Sequence, residues 1–442
     1  MTVAESASSP LGLELEERLV SAPSWLAARR RAGWDAYEAL PLPSAHADED
    51  WRRTDISKLH IETFSPGTTA PSVIASLAAE IAASVPDAAM VHCSPSGIAI
   101  ENADRLNAEG VIITSLADAA RRHPDLLQRT LEAVGTSESK FLALWNALGE
   151  GCFVHVPHGV AASVPLWITH TAAAGAVFPA TVVSVGDNAT LTLVETSASP
   201  SGGAPLLSNT ASIIDLGREA RVDHCVIQRW SDTVWHFATH RARLAASAHL
   251  RFFGATFGAR LQKAYWEALL EGPGAEADLA GVAFGDGAQH LDHQSLQAHR
   301  APDTRSDLLL KVAVRDTARS VYSGMIEVTE AAVHANGYVA NRNLILGQGA
   351  TANSVPRLEI KANDVRCGHG ATVGHIDDDQ RFYLQSRGVS RDDADQIIVR
   401  GFLDDALLKV RHDGIRNHLA GLLEAEVAGT PQAGIVAPQS DG

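Results

Sequence analysis

Cysteine is scarce in this chain, and its spacing excludes a disulfide-rich fold. Only 4 cysteines occur among the 442 residues, namely Cys93, Cys152, Cys225 and Cys367. They lie far apart and form no C-x-x-C pair, so we expect free thiols rather than the disulfide framework of a small secreted protein. Because Cys93, Cys152 and Cys225 have apolar neighbours in the sequence, we expect these three side chains to fill the core.

Positive charge and long apolar runs are also lacking. The chain has 36 basic and 52 acidic residues, a formal net charge of −16, whereas nucleic acids and anionic membranes attract clustered positive charge. The first twenty residues contain no apolar signal-peptide core. The longest apolar stretch, 172–185, is too short to span a bilayer and contains Pro179. We therefore predict a cytoplasmic protein that binds neither nucleic acid nor membrane.

Motifs for nucleotide or acyl chemistry are missing as well. No lysine follows a glycine, which excludes a Walker-type phosphate loop, and no G-x-S-x-G elbow is present. We expect a non-catalytic subunit, so that any ATP-driven step comes from a partner. A β-helix enzyme acting on polysaccharide remains an alternative. Such enzymes use paired carboxylates, but the acidic run at 377–379 is more typical of a solvated turn.

The periodicity of apolar residues divides the chain into zones. Helical spacing occurs at 11–40, 73–85 and 115–149, gives way to short runs of period two near residue 151, and returns at 393–411. We therefore predict a mainly helical N-terminal domain, a β core, a C-terminal helical domain that docks a partner, and a disordered tail, with bounds of 1–150, 151–375, 376–428 and 429–442.

A recurring unit within the β core indicates a solenoid. It consists of a polar or glycine-containing turn, an alanine and an alternating strand, with the alanines at Ala189, Ala220, Ala248, Ala288, Ala318 and Ala350. The spacings are 31, 28, 40, 30 and 32 residues, and a second candidate, Ala277, blurs the long interval. A repeat near 30 residues predicts stacked rungs. An all-β sandwich with evenly spaced turns is the alternative.

Two polar pairs stand out within the predicted strands. Residues two apart on a strand share a face, so Cys367 and His369 direct a thiol and an imidazole into one space. Both groups are ligands for iron or iron–sulfur clusters, although the pair also fits a structural role in the core. His290 and Asp292 share a face in the same way. We expect a structural hydrogen-bonded pair there more than a metal site.

Several stretches resemble one known family. They are YSGMIEV, NRNLILGQGATANSVPRLEIKANDVRCGHGATVG and DDDQRFYLQSRG between Val321 and Phe402, DHQSLQAH at 292–299, FLALWNALGEGCFVHVPHGV at 141–160 and EDWRRTDISKL at 49–59. Together they resemble the SufB/SufD family of iron–sulfur cluster assembly proteins, over nearly the whole chain. The version CGHGATVG at 367–374 is more similar to SufD-type than to SufB-type subunits.

The resemblance implies a fold and a set of partners. The implied fold is mainly β, a right-handed parallel β-helix between N-terminal and C-terminal helical domains. The implied function is that of a scaffold subunit of a SufBCD-type complex. A SufB-like paralogue would pair through the β-helices, and a SufC-like ATPase would dock on the C-terminal domain. A structural homodimer without cluster ligation is the alternative for the isolated chain.

The resemblance also implies roles for particular residues. His369, and with less support Cys367, would face the paralogue as ligands of a transient iron–sulfur cluster or iron. Reduced flavin is implied by resemblance alone, because the sequence has no flavin motif. In the docking domain, the amphipathic stretch that contains Phe402 would offer an apolar face. Arg387 would bind an acidic group of the partner, or form an ion pair within the chain.

Overall fold

The computed structural model describes residues 9–429, so the tail predicted at 429–442 lies outside the described residues except for Gly429. The described part is mainly β and forms a parallel β-solenoid of about eight turns, with helical segments before and after it. This confirms the predicted fold class. Parallel pairing between successive turns excludes the sandwich alternative, whose sheets would be antiparallel.

Most of the described helices begin at a proline or at a polar capping residue. They are α1 (Pro10–Ser21), α2 (Ser24–Ala39), α3 (Pro71–Ser84), α4 (Asp104–Ala108), α5 (Leu116–Arg122), α6 (Pro124–Leu131), α7 (Lys140–Leu148), α8 (Asp378–Ser386), α9 (Arg391–Leu407) and α10 (Asp413–Val427). Proline is the first residue of α1, α3 and α6, where its missing N–H costs nothing. Pro23 separates α1 from α2 within the stretch predicted as helical at 11–40. Among the described residues, none of the helices combines the length and apolar character that crossing a bilayer requires.

The strands form two long sheets. They are β1 (Ala89–Ser94), β2 (Gly97–Glu101), β3 (Ile112–Ser115), β4 (Glu150–Val156), β5 (Leu166–Thr171), β6 (Gly175–Val177), β7 (Pro179–Val185), β8 (Thr190–Ala198), β9 (Leu206–Leu216), β10 (Arg221–Arg229), β11 (Val234–Leu244), β12 (His249–Thr256), β13 (Leu261–Leu270), β14 (Glu276–Gly285), β15 (His290–His299), β16 (Arg305–Val314), β17 (Arg319–Val328), β18 (Asn336–Ile345), β19 (Thr351–Ile360) and β20 (Arg366–His375). Sheet I runs β2-β1-β5-β8-β10-β12-β14-β16-β18-β20, and sheet II runs from β3 through β4, β7 and then the odd strands to β19. Each turn of the solenoid therefore contributes one strand to each sheet.

The turns that lead into sheet I share one backbone device. A residue with positive φ is followed by a small buried residue in the pairs Asn188–Ala189, Glu219–Ala220, Ser247–Ala248, Gly274–Ala275, Asp303–Thr304 and His334–Ala335. The left-handed residue reverses the chain, and the small one fits between the stacked turns. These pairs recur every 27–31 residues, which is the length of one turn of the solenoid.

The predicted repeat contains one error of assignment. Ala288, Ala318 and Ala350 precede strands of sheet II, whereas Ala189, Ala220 and Ala248 precede strands of sheet I. The interval of 40 residues arises where the series changes from one edge of the solenoid to the other. Ala288 is also exposed, and its neighbour Gln289 takes the buried position.

Three apolar clusters hold the fold together. The inner faces of both sheets meet in a cluster that fills the space enclosed by the solenoid, here called the bore. The outer face of sheet I packs against α3, α9 and α10, and the outer face of sheet II packs against α1, α2, α5, α6 and α7. A central strand such as β9 is therefore buried on both faces, whereas the last two strands, β19 and β20, are largely exposed.

Candidate functional site

Cys367 and His369 lie on the inner face of the last strand of sheet I. In the parallel register between β18 and β20, Cys367 is opposite Gly337 and His369 is opposite Val339. Val339 is 2% exposed and belongs to the bore cluster. Both ligand candidates therefore point along the same side as the core residues of the preceding turns, and no turn of the described chain covers them.

The absence of a covering turn creates an open end of the bore. His369 is exposed and Cys367 is half-buried. Three apolar side chains with the same inward direction are also exposed there, Leu358 (38%), Ile360 (41%) and Val373 (49%). Their counterparts one turn earlier, such as Ile326 and Val328, are completely buried. We call this surface, formed by the inner faces of β19 and β20, the open end.

Of the two glycines in the CGHG sequence, Gly370 is the one that a neighbouring side chain restricts. Gly368 and Gly370 alternate with Cys367 and His369 and point to the outer face, where the ring of Tyr338 crosses the strand. A Cβ at Gly370 would lie 2.9 Å from the Tyr338 hydroxyl. Tyr338 therefore covers the outer side of the strand and leaves the inner side to the thiol and the imidazole.

Cys367 and His369 by themselves provide neither a stabilised thiolate nor a complete set of metal ligands. Partial burial raises the pKa of the Cys367 thiol, so a cation or metal is needed to stabilise its anionic form. Within residues 9–429, no group of three or more His, Cys, Asp and Glu side chains has an arrangement that could hold a metal ion. Cys367 and His369 alone therefore do not complete a metal site, and further ligands are needed.

The second predicted site, in the C-terminal helices, is a groove. A cavity of about 840 Å³ lies between α8, α9 and the end of β20. Tyr383 and Ile397 line it, and Phe382 is exposed on the same helix as Tyr383. The guanidinium of Arg387 lies 5.2 Å from the centre of the Tyr383 ring. Arg387 takes part in none of the ion pairs found within residues 9–429, so its charge faces outward.

Phe402 lies at the base of this groove and is half-buried against the outer face of sheet I. The Lys311 ammonium donates a hydrogen bond of 2.7 Å to the Phe402 carbonyl and lies 4.9 Å from its ring centre. It also pairs with the Asp405 carboxylate. These contacts attach α9 to the solenoid and so hold Phe402 in place at the base of the groove.

The acidic run at 377–379 begins α8. The Asp377 carboxylate accepts a hydrogen bond of 2.9 Å from the Asp379 N–H, and Asp378 pairs with Arg381 at 2.6 Å. Capping residues and favourable charges at a helix N-terminus account for this run.

His290 and Asp292 share the outer face of β15 and anchor the N-terminal segment. The Thr54 hydroxyl lies 3.0 Å from His290 Nε2 and hydrogen-bonds to the Asp292 carboxylate. The completely buried ammonium of Lys263 is 2.6 Å from Asp292 and donates to the Asp50 carbonyl at 2.7 Å. The structural interpretation of this pair is therefore confirmed: the segment around EDWRRTD is held on the solenoid.

The cysteines are free, as expected, and three of them are buried. Cys93 and Cys152 belong to the bore cluster. Cys225 also fills a core, as expected, but this core lies on the outer face of sheet I under the C-terminal helices. Side chains along β10 alternate between the two faces of sheet I. Cys225 therefore points away from the face of Val222 and Val226, whose side chains line the bore.

A buried polar cluster in the bore was not predicted from the sequence. The Glu195 carboxylate, 2% exposed, lies 2.6 Å from His224 Nε2 and 3.5 Å from His170 Nε2. The signal that could have revealed it is a glutamate at an inward position of the alternating strand TLTLVET.

This geometry defines a class of protein: a parallel β-solenoid whose last turn, within residues 9–429, is uncovered and leaves a thiol and an imidazole on its inner face. Comparison with known families agrees. Residues 168–402 match the family model described as "SUF system FeS cluster assembly, SufBD core domain", and residues 16–168 match "SufBD protein N-terminal region". The chain therefore belongs to the SufBD family of iron–sulfur cluster assembly proteins.

Individual relatives are similar to different extents. A SufBD family protein of Mycobacterium leprae is 33% identical over 234 residues, which cover 51% of this chain and 59% of that protein. A SufBD family protein of Staphylococcus saprophyticus is 26% identical over 303 residues, 68% of this chain and 65% of that protein. The iron–sulfur cluster assembly protein SufD of Bacillus subtilis is 25% identical over 420 residues, 92% of this chain and 94% of that protein. The aligned part thus spans less than two thirds of the first two relatives and nearly all of the third.

Proposed function

We propose that this chain is a SufD-type scaffold subunit that supports the assembly of nascent iron–sulfur clusters, and their acquisition of iron, in the cytoplasm. It acts without catalysing a reaction itself. Its partners are a SufB-like paralogue and a SufC-like ATPase that drives the process. The observation that carries this proposal is the open end, where a thiol and an imidazole lie among uncovered core residues.

The open end fits a paralogue of similar cross-section. Strands β19 and β20 are each ten residues long, and their outer edges are unpaired within the described chain. Pro356 lies in β19, as is typical of an edge strand. A partner that continues the two sheets or covers the mouth of the bore would bury Leu358, Ile360 and Val373. Such unpaired edges and apolar surface favour association.

His369 and Cys367 serve as ligands of the cargo in this proposal. Thiolate and imidazole both bind iron in proteins, and neighbouring positions on one strand face hold them in fixed register. The paralogue or sulfide supplies the remaining ligands, because Cys367 and His369 alone do not complete a four-coordinate site. Reduced flavin has no assigned residue here, and its involvement rests on resemblance alone.

The groove at the C-terminal helices is the docking site that we propose for the ATPase. Its apolar walls fit a partner helix, with Phe402 at the base. The outward guanidinium of Arg387 can bind a carboxylate of the partner through two parallel hydrogen bonds. ATP hydrolysis in the partner would then act on the whole scaffold through α9, which Lys311 fixes to sheet I.

Anaerobic reconstitution with both partners, iron and sulfide tests this function. We expect His369→Ala to reduce cluster formation, followed by visible thiolate-to-iron absorption, at least about tenfold. The matched control, His46→Ala, removes an exposed histidine of the N-terminal region and should leave the absorption unchanged. Full cluster formation by His369→Ala would contradict the ligand assignment. A stable homodimer that excludes the paralogue and shows no such absorption would favour the structural alternative.

A further inference from the structure

The first turns of the bore contain two thiols that the proposed function does not use. Cys93 on β1 is directly in register with His170 on the adjacent strand β5. Cys152 lies on β4 of the opposite sheet, and Cα atoms of β1 and β4 approach within 8 Å of each other. All three side chains point into the bore, about as far from the open end as the solenoid allows.

A buried carboxylate supports this group. Glu195 accepts hydrogen bonds from the hydroxyls of Thr181 (2.6 Å) and Ser212 (2.9 Å) and lies 2.6 Å from His224 Nε2. Burial acts to raise its pKa, but the hydrogen bonds with His170 and His224 hold the pKa well below the usual range. The low pKa favours the ionised carboxylate, which stabilises a proton on His170.

His170 is consequently cationic near Cys93. Burial opposes the charge, but interactions with Cys93 and Glu195 outweigh it and raise the pKa of His170 to about 9. A cationic imidazole beside a thiol stabilises the thiolate, which is the reactive form of cysteine.

The two thiols are not equivalent. Hydrogen bonding from Cys152, helped by His170, lowers the pKa of Cys93, whereas the hydrogen bond with Cys93 and burial raise the pKa of Cys152. Cys93 and His170 also line a cavity of about 480 Å³ between the N-terminal helices and the first turns of the solenoid, and Cys152 does not. Cys93 is thus the more acidic of the two thiols and the one that lines the cavity.

We propose that Cys93 and Cys152 form a redox-active dithiol that reduces a small hydroperoxide and closes an intramolecular disulfide between β1 and β4. The Cys93 thiolate attacks the O–O bond of hydrogen peroxide and keeps one oxygen as sulfenic acid. The other oxygen leaves as hydroxide and is protonated to water. The Cys152 thiol then attacks the Cys93 sulfur, and a second water leaves with the Cys152 proton. Two thiols are oxidised by two electrons, and one peroxide becomes two waters.

The surroundings favour a small oxidant. Cys93 is only 5% exposed, so a bulky disulfide cannot align its sulfurs with the thiolate, whereas hydrogen peroxide is hardly larger than water. Cys225 provides the internal comparison. It is also buried, at 6% exposure, but burial alone raises the pKa of its thiol, and it has no second cysteine beside it.

Peroxide treatment of the reduced full chain tests the proposal. After alkylation of the remaining thiols, unfolding and digestion, we expect a disulfide-linked pair of peptides containing Cys93 and Cys152, with a mass loss of about 2 Da. Cys225 should remain reduced in the same sample. In Cys152→Ser, a near-isosteric change, Cys93 should stop at sulfenic acid and be trapped by a cyclic 1,3-diketone. Cys225→Ser is the matched control and should still form the disulfide.

Recovery of Cys93 and Cys152 in reduced form, while the half-buried Cys367 is oxidised, would overturn the proposal. Alkylation of the native wild-type chain by iodoacetamide keeps the test decisive if Cys152→Ser does not fold. Cys93 should react at least about tenfold faster than Cys225, and equal rates would overturn the proposal.

Discussion

The buried ion pair beneath the N-terminal segment allows a quantitative prediction. Lys263 and Asp292 are both 0% exposed, and their charged atoms are 2.6 Å apart. Asp292 also accepts hydrogen bonds from Thr54 and from Gln294 (2.6 Å). The change Asp292→Asn removes the negative charge and leaves the ammonium buried without its counter-ion. Breaking a buried pair in this way costs about 3–5 kcal/mol of unfolding free energy.

Urea unfolding followed by tryptophan fluorescence measures this cost. Trp51 is a suitable reporter, because it stacks on Phe141 at 5.5 Å and lies 4.7 Å from the Lys263 ammonium. We expect Asp292→Asn to loosen the N-terminal segment first. Amide hydrogen exchange at residues 49–59 should therefore become faster under conditions in which the solenoid is still folded. The coupled change of Lys263→Met with Asp292→Leu should recover most of the free energy.

The matched control is Asp278→Asn. Asp278 pairs with His249 at 3.0 Å across neighbouring strands, but its side chain is 40% exposed. Solvent screening limits such a pair to about 0–1 kcal/mol. If Asp292→Asn costs no more than Asp278→Asn, the buried pair does not hold the N-terminal segment, and the reasoning is refuted.

Three further predictions concern acid stability and the two proposed partner surfaces. Burial lowers the pKa of five histidines to about 3 or 4, namely His236, His240, His293, His299 and His418. The unfolded chain therefore binds protons first as the pH falls, and the urea midpoint should drop steeply between pH 6.5 and about 4. A flat profile over that range would contradict this. The change Arg387→Glu should weaken binding of a SufC-like ATPase at least about tenfold by calorimetry, whereas Arg391→Glu, an exposed arginine at the start of α9, should not. The change Leu358→Lys at the open end should prevent co-elution with a SufB-like paralogue, whereas Leu13→Lys on the exposed face of α1 should leave it intact, and equal behaviour of the two would refute the pairing surface.

Local patterns in the sequence predict the solenoid, but not how its faces are used. Alternation of period two places Cys367 and His369 on one face of a strand, and the structure has them there. Whether that face is inner or outer depends on the register with β18, where Val339 lies opposite His369. Register is a long-range property, so the alternation itself carries no information on it.

The turns between strands are also predicted only in part by local sequence patterns. Small residues at a spacing near 30 reveal stacked turns, yet Ala248 and Ala288 look alike in the sequence and lie at different edges of the solenoid. The cluster around Glu195 was missed because its members, from Cys93 to His240, are spread over strands that are adjacent only after the chain has coiled several times. The apolar neighbours of Cys225 predict its burial, but they do not distinguish the bore from an outer face that helices cover.

The two ends of the solenoid differ, and this difference limits how the chain can assemble. At the first end, the short antiparallel strands β2 and β3 close the sheets, and short antiparallel edges of this kind resist further pairing. At the other end, β19 and β20 leave ten-residue parallel edges and the apolar mouth of the bore uncovered. A solenoid with two open ends could stack into a filament, because each added chain would present a further open end for the next one. With one open end, a single partner covers the available surface, so association through that end would produce a closed pair with Cys367 and His369 between the two chains.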